Sequence, residues 1–284
     1  MGGVFGAMKR NNISSEVIKH IILLLITFIV LIPIYYLIVT TFKSGTEAAL
    51  HPMALPDSWD FSGYAEAFVK MEYPRAFLNT FFITAVSVVG TILLSAMCGY
   101  VLNRKSSNKV VAVIFVLFLS GIMFPYQMSI LGLYKLIRDI HLMNSLWSVI
   151  LIDIAINLPF DVFLMKSYVS TIPGELEEAA FIDGAGVFRT FATIVFPLLK
   201  PTIATVAILN TLTIWNDFLG PLYFLQSREK DVILQEVYRN IGQFSTDWNK
   251  LFPMMVLGVL PLLIFYLAMQ KYIIGGVMAG SVKG

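Results

Sequence analysis

The residues of this sequence best placed to do chemistry are polar ones set inside long apolar runs. Asp153, Asn157 and Asp161 follow at i, i+4 and i+8, a spacing that puts all three on one helix face. Asn210, Thr213 and Asp217 follow at i, i+3 and i+7 and share a face of a second helix, with Trp215 and Asn216 beside them. In lipid a carboxylate costs about 3 kcal/mol by the lower estimates, so both faces are expected to turn toward a bundle interior or a wet cavity. Carboxylates and amides there take hydroxyl groups, and an indole such as Trp215 stacks on an apolar ring face. That chemistry suits a translocation path. The competing role is to bond helices to one another. His20, His51 and His141 are scattered, and no Cys/His/Asp cluster has metal-ligand spacing, so no metal site is expected.

These residues need membrane helices to hold them. Four runs are free of charge and long enough to span a bilayer: Ile21–Val39, Ala76–Asn103, Val110–Tyr134 and Leu251–Gln270. Two more, Ser145–Met165 and Pro201–Leu225, are apolar except for the polar residues above. The expected fold is therefore an all-α integral membrane protein with six transmembrane helices. Composition agrees. The 284 residues are 57% hydrophobic and only 13% charged, with a mean hydropathy of +0.78. Soluble domains are roughly 45–50% apolar and about 25% charged. A soluble enzyme and a disordered chain are both excluded, and a net charge of +2 gives no footing for nucleic acid. The single cysteine, Cys98, excludes an intrachain disulfide.

Six spans put both termini on one side. With the N-terminus inside, the inner segments hold 11 Lys and Arg and the outer ones 9, so the overall bias is slight. Arg104, Lys105 and Lys109 in one short loop, with Lys9, Arg10 and Lys19 before the first span, place that side in the cytoplasm. The expected organisation is an N-terminal tail, first span and outer loop over 1–75, a five-helix core over 76–270, and a cytoplasmic tail over 271–284.

The segment 171–200 between the fourth and fifth spans has its own pattern. Pro173 opens a helix, and Glu175, Glu177 and Glu178 fill the first turn, where carboxylates meet the positive helix end. Ala179 and Ala180 leave a flat face for close approach, and Gly184 and Gly186 supply a left-handed stop. A second helix follows, with Val187, Phe188, Phe191, Ile194 and Val195 on one stripe and Pro197 as its end. The result is a helix–turn–helix whose acidic and small residues face away from the membrane. A helix resting on lipid headgroups would carry Lys and Arg instead of three glutamates, so a protein partner fits better.

Glu178-Ala179-Ala180, Asp183-Gly184-Ala185, Ile194 and Pro197 carry a resemblance. Their spacing resembles the EAA signature of permease subunits of binding-protein-dependent ABC importers, with Phe196 where the pattern has Leu. Phe124-Pro125-Tyr126-Gln127, Leu158-Pro159-Phe160, Trp215-Asn216-Asp217-Phe218-Leu219 and the tail Gly275–Gly284 are similar to the carbohydrate branch, and within it to the G-type subunits of maltose-type permeases. The resemblance covers residues 15–284.

The resemblance implies a cytoplasmic coupling loop that docks on a separate ATPase. Glu178 would pair with a basic group there, Ala179 and Ala180 would allow close packing, and Gly184 would set the turn. It also implies a second, non-identical permease, two cytoplasmic ATPase subunits, an extracytoplasmic substrate-binding protein, and a bacterial or archaeal cytoplasmic membrane. The chain has no phosphate-binding loop, so no cofactor is expected on it, and ATP and Mg belong to the partner ATPase. The expected function is ATP-driven import of a carbohydrate by alternating access. Two alternatives stand beside it: the same machine with a polyol, glycerol phosphodiester or acidic-sugar cargo, and a transporter driven by an ion gradient through Asp153 and Asp161.

Overall fold

The computed structural model describes residues 15–241 and 247–270 in full, and the helical backbone of 2–14 and 271–281. The tail string Gly275–Gly284 lies outside the described side chains. Among the described residues every regular element is helical. The chain divides into two compact units, Met1–Lys70 with Asn240–Leu257, and Met71–Arg239 with Gly258–Gly284.

In the first unit, α1 (Gly2–Thr40) exposes nearly all its large apolar side chains from Val17 to Ile38. A helix apolar on every side is a lipid-facing span. After it, Ser44 caps α2 (Gly45–Leu50) by accepting the Glu47 N–H at 3.2 Å. Lys43 is buried, and its ammonium donates to the His51 and Pro52 carbonyls at 2.7 and 3.2 Å. Before α3 (Ser62–Lys70), Asp60 accepts from the Ser62 hydroxyl and amide, which holds its carboxyl below the usual range.

The second unit holds the remaining core. Its long element is α4 (Tyr73–Arg104), opened by Pro74 in the first turn, where a missing N–H removes no bond. Asn108 caps α5 (Lys109–Met123) by accepting the Val110 N–H at 2.8 Å. The chain then bends by 106° into α6 (Tyr126–Asp139). Pro125 at the bend has no N–H and disfavours helix at Phe124. Ser145 caps α7 (Leu146–Val169). The loop contains α8 (Glu175–Ile182), α9 (Val187–Thr190), a π-helical turn Phe191–Val195 and α10 (Phe196–Leu198). There follow α11 (Lys200–Trp215), α12 (Leu219–Phe224), a 3-10 turn Arg228–Lys230, α13 (Ile233–Arg239) and α14 (Trp248–Ser281).

The unit is organised on α4 and α7. A Cβ on Gly99 would stand 2.7 Å from the Met165 Cβ and 2.8 Å from the Lys166 backbone nitrogen. Only glycine lets the two backbones come this close. Ala96, Met165, Val169, Val195, Leu199 and Val206 pack around that contact, and Ile83, Val149, Ile150, Ile214 and Phe224 form a second core further along the same helices.

Among the described residues four helices are long and apolar enough to cross a membrane, and up to six if each of two bent pairs counts as one span. The expected third run, Val110–Tyr134, is thus two helices rather than one. The expected fifth, Pro201–Leu225, stops early: α11 ends at Trp215, and its bent partner is Val187–Leu198, at 72°. The break falls at Leu199, two residues after Pro197, because proline is tolerated in the first turn of α10.

The inter-span loop and the buried polar face

The polar residues of α7 turn inward as their spacing requires. Asp153 and Asp161 are 6% and 0% exposed, and Asn157 is half-buried. Asn210 on α11 donates its amide to Asp161 Oδ2 at 2.6 Å, which ties α7 to α11. Asn157 bonds within its own helix, to the Asp153 carbonyl at 2.8 Å. The α11 set divides. Thr213 and Asn216 are exposed and bond back to the Leu209 and Leu212 carbonyls. Asp217 is not on the α11 face at all. The helix has ended, and Asp217 accepts from the Leu219 and Gly220 amides at the start of α12. A short Asp side chain competes for backbone N–H groups and so favours a cap over a helix interior. Trp215 is 7% exposed, with its indole N–H donated to the Gly258 carbonyl at 3.2 Å and its ring edge-on to Phe77. That ring is packed as core rather than presented for stacking.

A smaller group was not foreseen. Tyr126 at the α5–α6 bend lies within electrostatic reach of Asp153 and Asp217. Its hydroxyl and Asp153 Oδ2 are buried without a protein hydrogen-bond partner. The signal was present in Phe124-Pro125-Tyr126, since a bend at Pro125 turns the next residue off the helix path.

The Asp161–Asn210 pair makes a direct prediction. Asn210→Leu leaves a buried carboxylate unpaired and is expected to destabilise the chain by about 2 kcal/mol, while Thr213→Val is near neutral. Thermal melts of both variants in detergent check this. Equal melting temperatures would show that the pair does not hold the helices.

In the loop, Gly184 has φ +81°, the left-handed stop its sequence position implies. Glu178, Ala179, Asp183 and Gly184 are exposed, and Ala185 is half-buried. Ala180 is 8% exposed and Glu177 6%, so the acidic and small residues do not all face outward as expected. The helical period is the reason: Glu177 and Ala180 are three apart and share the inner face. The expected stripe of the second helix divides as well. Val187 and Phe188 are exposed, Val195 is fully buried, and Phe191 and Ile194 are half-buried, because a π-helical turn changes the register between them. Pro197 lies within α10 and does not end the helix. Ile182 and Phe188 are 86% and 81% exposed at the loop tip.

At the root of the loop, Arg104 and Tyr100 of α4 both bond the Glu177 carboxylate. At the other end of α4, Glu236 of α13 is fully buried and pairs with Arg75 and Arg228. Glu72 joins both arginines at 3.2 and 3.3 Å. Asn79 donates to the Glu229 and Asp231 carbonyls, and Asp231 pairs with Arg239. Hydrogen bonds donated to Glu236 and Asp231 raise the Arg228 and Arg239 pKa values above the ordinary one, so both stay charged at all working pH.

The chain matches a known class. Residues 91–278 match the family described as the binding-protein-dependent transport system inner membrane component, and the chain belongs to that family, as an integral membrane protein. It is 34% identical to the diacetylchitobiose uptake system permease protein NgcG of Streptomyces coelicolor, over 94% of this chain and 88% of that one. It is 34% identical to the melibiose/raffinose/stachyose import permease protein MelC of Bacillus subtilis, over 89% and 91%. A crystal structure of a bacterial ABC transporter that imports the acidic polysaccharide alginate contains a chain of the same fold. The TM-score is 0.83, with 22% identity, over 93% of this chain and 98% of that one.

Proposed function

We propose that this chain is one of two non-identical permease subunits of an ATP-driven oligosaccharide importer. It forms half of a translocation path that alternates between the two sides of the membrane. It crosses the membrane six times with both termini in the cytoplasm, the bent pairs counting as spans. The loop 171–200 then faces the cytoplasm and docks on an ATPase subunit that carries ATP and Mg. The chain itself catalyses nothing.

The observation that carries this reading is the loop tip. Ile182 and Phe188 are apolar and almost fully exposed, beside exposed Glu178 and Ala179. A patch of that kind on a short loop calls for protein cover. In the docked state Glu178 meets a basic group, Ala179 lets the partner approach closely, and Gly184 holds the turn. Asp183, Ala185, Ile194 and Pro197 keep the signature spacing that aligns these groups. The cargo assignment rests on the relatives, whose names specify uptake of diacetylchitobiose and of melibiose, raffinose and stachyose. An alginate transporter of the same fold has been solved with a pentasaccharide-bound periplasmic protein, which supports an external binding protein as a further partner. Asp153, Asn157 and Tyr126 are the groups on the path side, and Asp161–Asn210 is a helix-to-helix tie.

The test is purification of the tagged chain from its native membrane in mild detergent, with mass spectrometry of what accompanies it. A second six-span permease and a phosphate-loop ATPase are expected. A chain recovered alone or as a homo-oligomer would sink the importer reading.

A further inference from the structure

We propose that Glu177, rather than its neighbour Glu178, transmits loop motion into the membrane helices. With Arg104 and Tyr100 it locks α8 to the end of α4, so that the two move as one body. The proposal rests on the importer reading above and assigns a positioning role within it.

The geometry around Glu177 is that of a lock. Its side chain is 8% exposed and uses both carboxylate oxygens. Oε1 accepts from Arg104 Nε at 2.7 Å and lies 2.6 Å from Nη2, and Oε2 accepts from the Tyr100 hydroxyl at 2.7 Å. The same guanidinium donates from Nη2 to the Ile172 carbonyl at 2.9 Å, just before α8 begins. Asn103 donates to the Lys166 carbonyl at 3.1 Å and so adds the end of α7. Tyr100 packs its ring on Phe191 of the π-helical turn at 5.4 Å. One turn of α4 therefore grips the loop at its entry, along α8 and at its exit.

The rest of α8 has little hold on the membrane core. Glu175, Leu176, Glu178 and Ala179 are exposed, and the other buried residue, Ala180, offers a single methyl group. A force applied to the exposed face of α8 reaches the core through the Glu177 lock or through the chain ends. The chain ends are weak levers, because Gly174 and Gly184 flank the helix and Gly184 already sits at positive φ. A charge pair with every partner in place resists distortion, since any opening leaves a buried charge unpaired. Glu178 and Glu177 thus divide the work: one faces the partner and the other faces α4.

The test uses the intact complex purified from its native membrane through this chain and reconstituted in nanodiscs. Spin labels go on cysteines at Ser106 and Glu175, in a Cys98→Ser background. The distance between them is measured nucleotide-free and after trapping with ATP and vanadate. The lock predicts an unchanged distance in the two states. Glu177→Gln is expected to broaden it and to shift it in the trapped state, with ATP hydrolysis retained. Arg104→Ala alone is expected to broaden the distance as Glu177→Gln does, and the double variant to broaden it no further, which a mere packing defect would not give. A distance that changes between states in the unaltered lock, or that ignores Glu177→Gln, overturns the proposal while an ATPase that co-purifies leaves the importer reading standing. Recovery of the chain without any ATPase overturns both.

Discussion

Glu236→Ala is expected to detach the segment 226–239 from the end of α4 and to destabilise the chain by on the order of 3 kcal/mol, the low end for breaking a buried ion pair. The low end applies because Arg75 and Arg228 keep side-chain exposures of 24% and 48%, so water screens part of the loss. Glu236 is fully buried and is the shared acceptor of both guanidinium groups. Its removal leaves two cations facing each other across the Glu72 carboxylate. The measurement is a thermal melt in detergent with proteolysis of residues 226–239 as a local readout. Glu236→Gln keeps a hydrogen-bond acceptor and is expected to fall between the two. Unchanged melting and unchanged protease resistance in Glu236→Ala would show that the backbone bonds from Asn79 hold this segment without the ion pairs.

The second large effect is expected at Gly99. A valine there would place its Cβ 2.7 Å from Met165 Cβ and 2.8 Å from the Lys166 nitrogen. Neither contact can be relieved by rotating a flexible side chain, so α4 and α7 must separate. Overpacking of this kind costs about 1–3 kcal/mol where a core adjusts, and more where backbone stands in the way. Separation would also pull Asn103 from the Lys166 carbonyl and weaken the grip on the loop. Gly99→Val is therefore expected to lower both the melting temperature and the amount of folded chain recovered. Gly132→Val is the control, because a Cβ there meets nothing within 4 Å. Equal yields from the two variants would refute the close approach.

The membrane helices were legible because bilayer crossing demands long apolar runs; α1, α4 and the start of α14 carry them without interruption, and the run of α7 is interrupted only by Asp153, Asn157 and Asp161. The breaks were not. Pro125, read inside one span, sits at a 106° bend, and Pro197, read as a helix end, sits inside the first turn of α10. Glu178, Ala179 and Gly184 were found from spacing and do lie on the exposed side of the loop. Glu177 was passed over because three glutamates in one turn look equivalent until a partner is known. Its partners, Tyr100 and Arg104, lie more than seventy residues away. Arg104 had been read only as a topological charge. The cluster of Glu72, Arg75, Arg228 and Glu236 was missed for the same reason, since the pairs Arg75–Glu236 and Arg228–Glu72 join segments more than 150 residues apart.

Helix α4 has 32 residues, about 48 Å at 1.5 Å per residue, against a hydrocarbon core about 30 Å thick. A helix of that length is long enough for both ends to stand clear of the lipid, and each end is held by arginine–carboxylate pairs. The two sets differ in their access to water. Raising salt would screen the exposed Arg228–Glu72 pair and leave the largely buried Arg104–Glu177 pair nearly untouched, since screening acts over about 8 Å at physiological strength and far less on buried pairs. Ionic strength would then loosen the helix at one tip only.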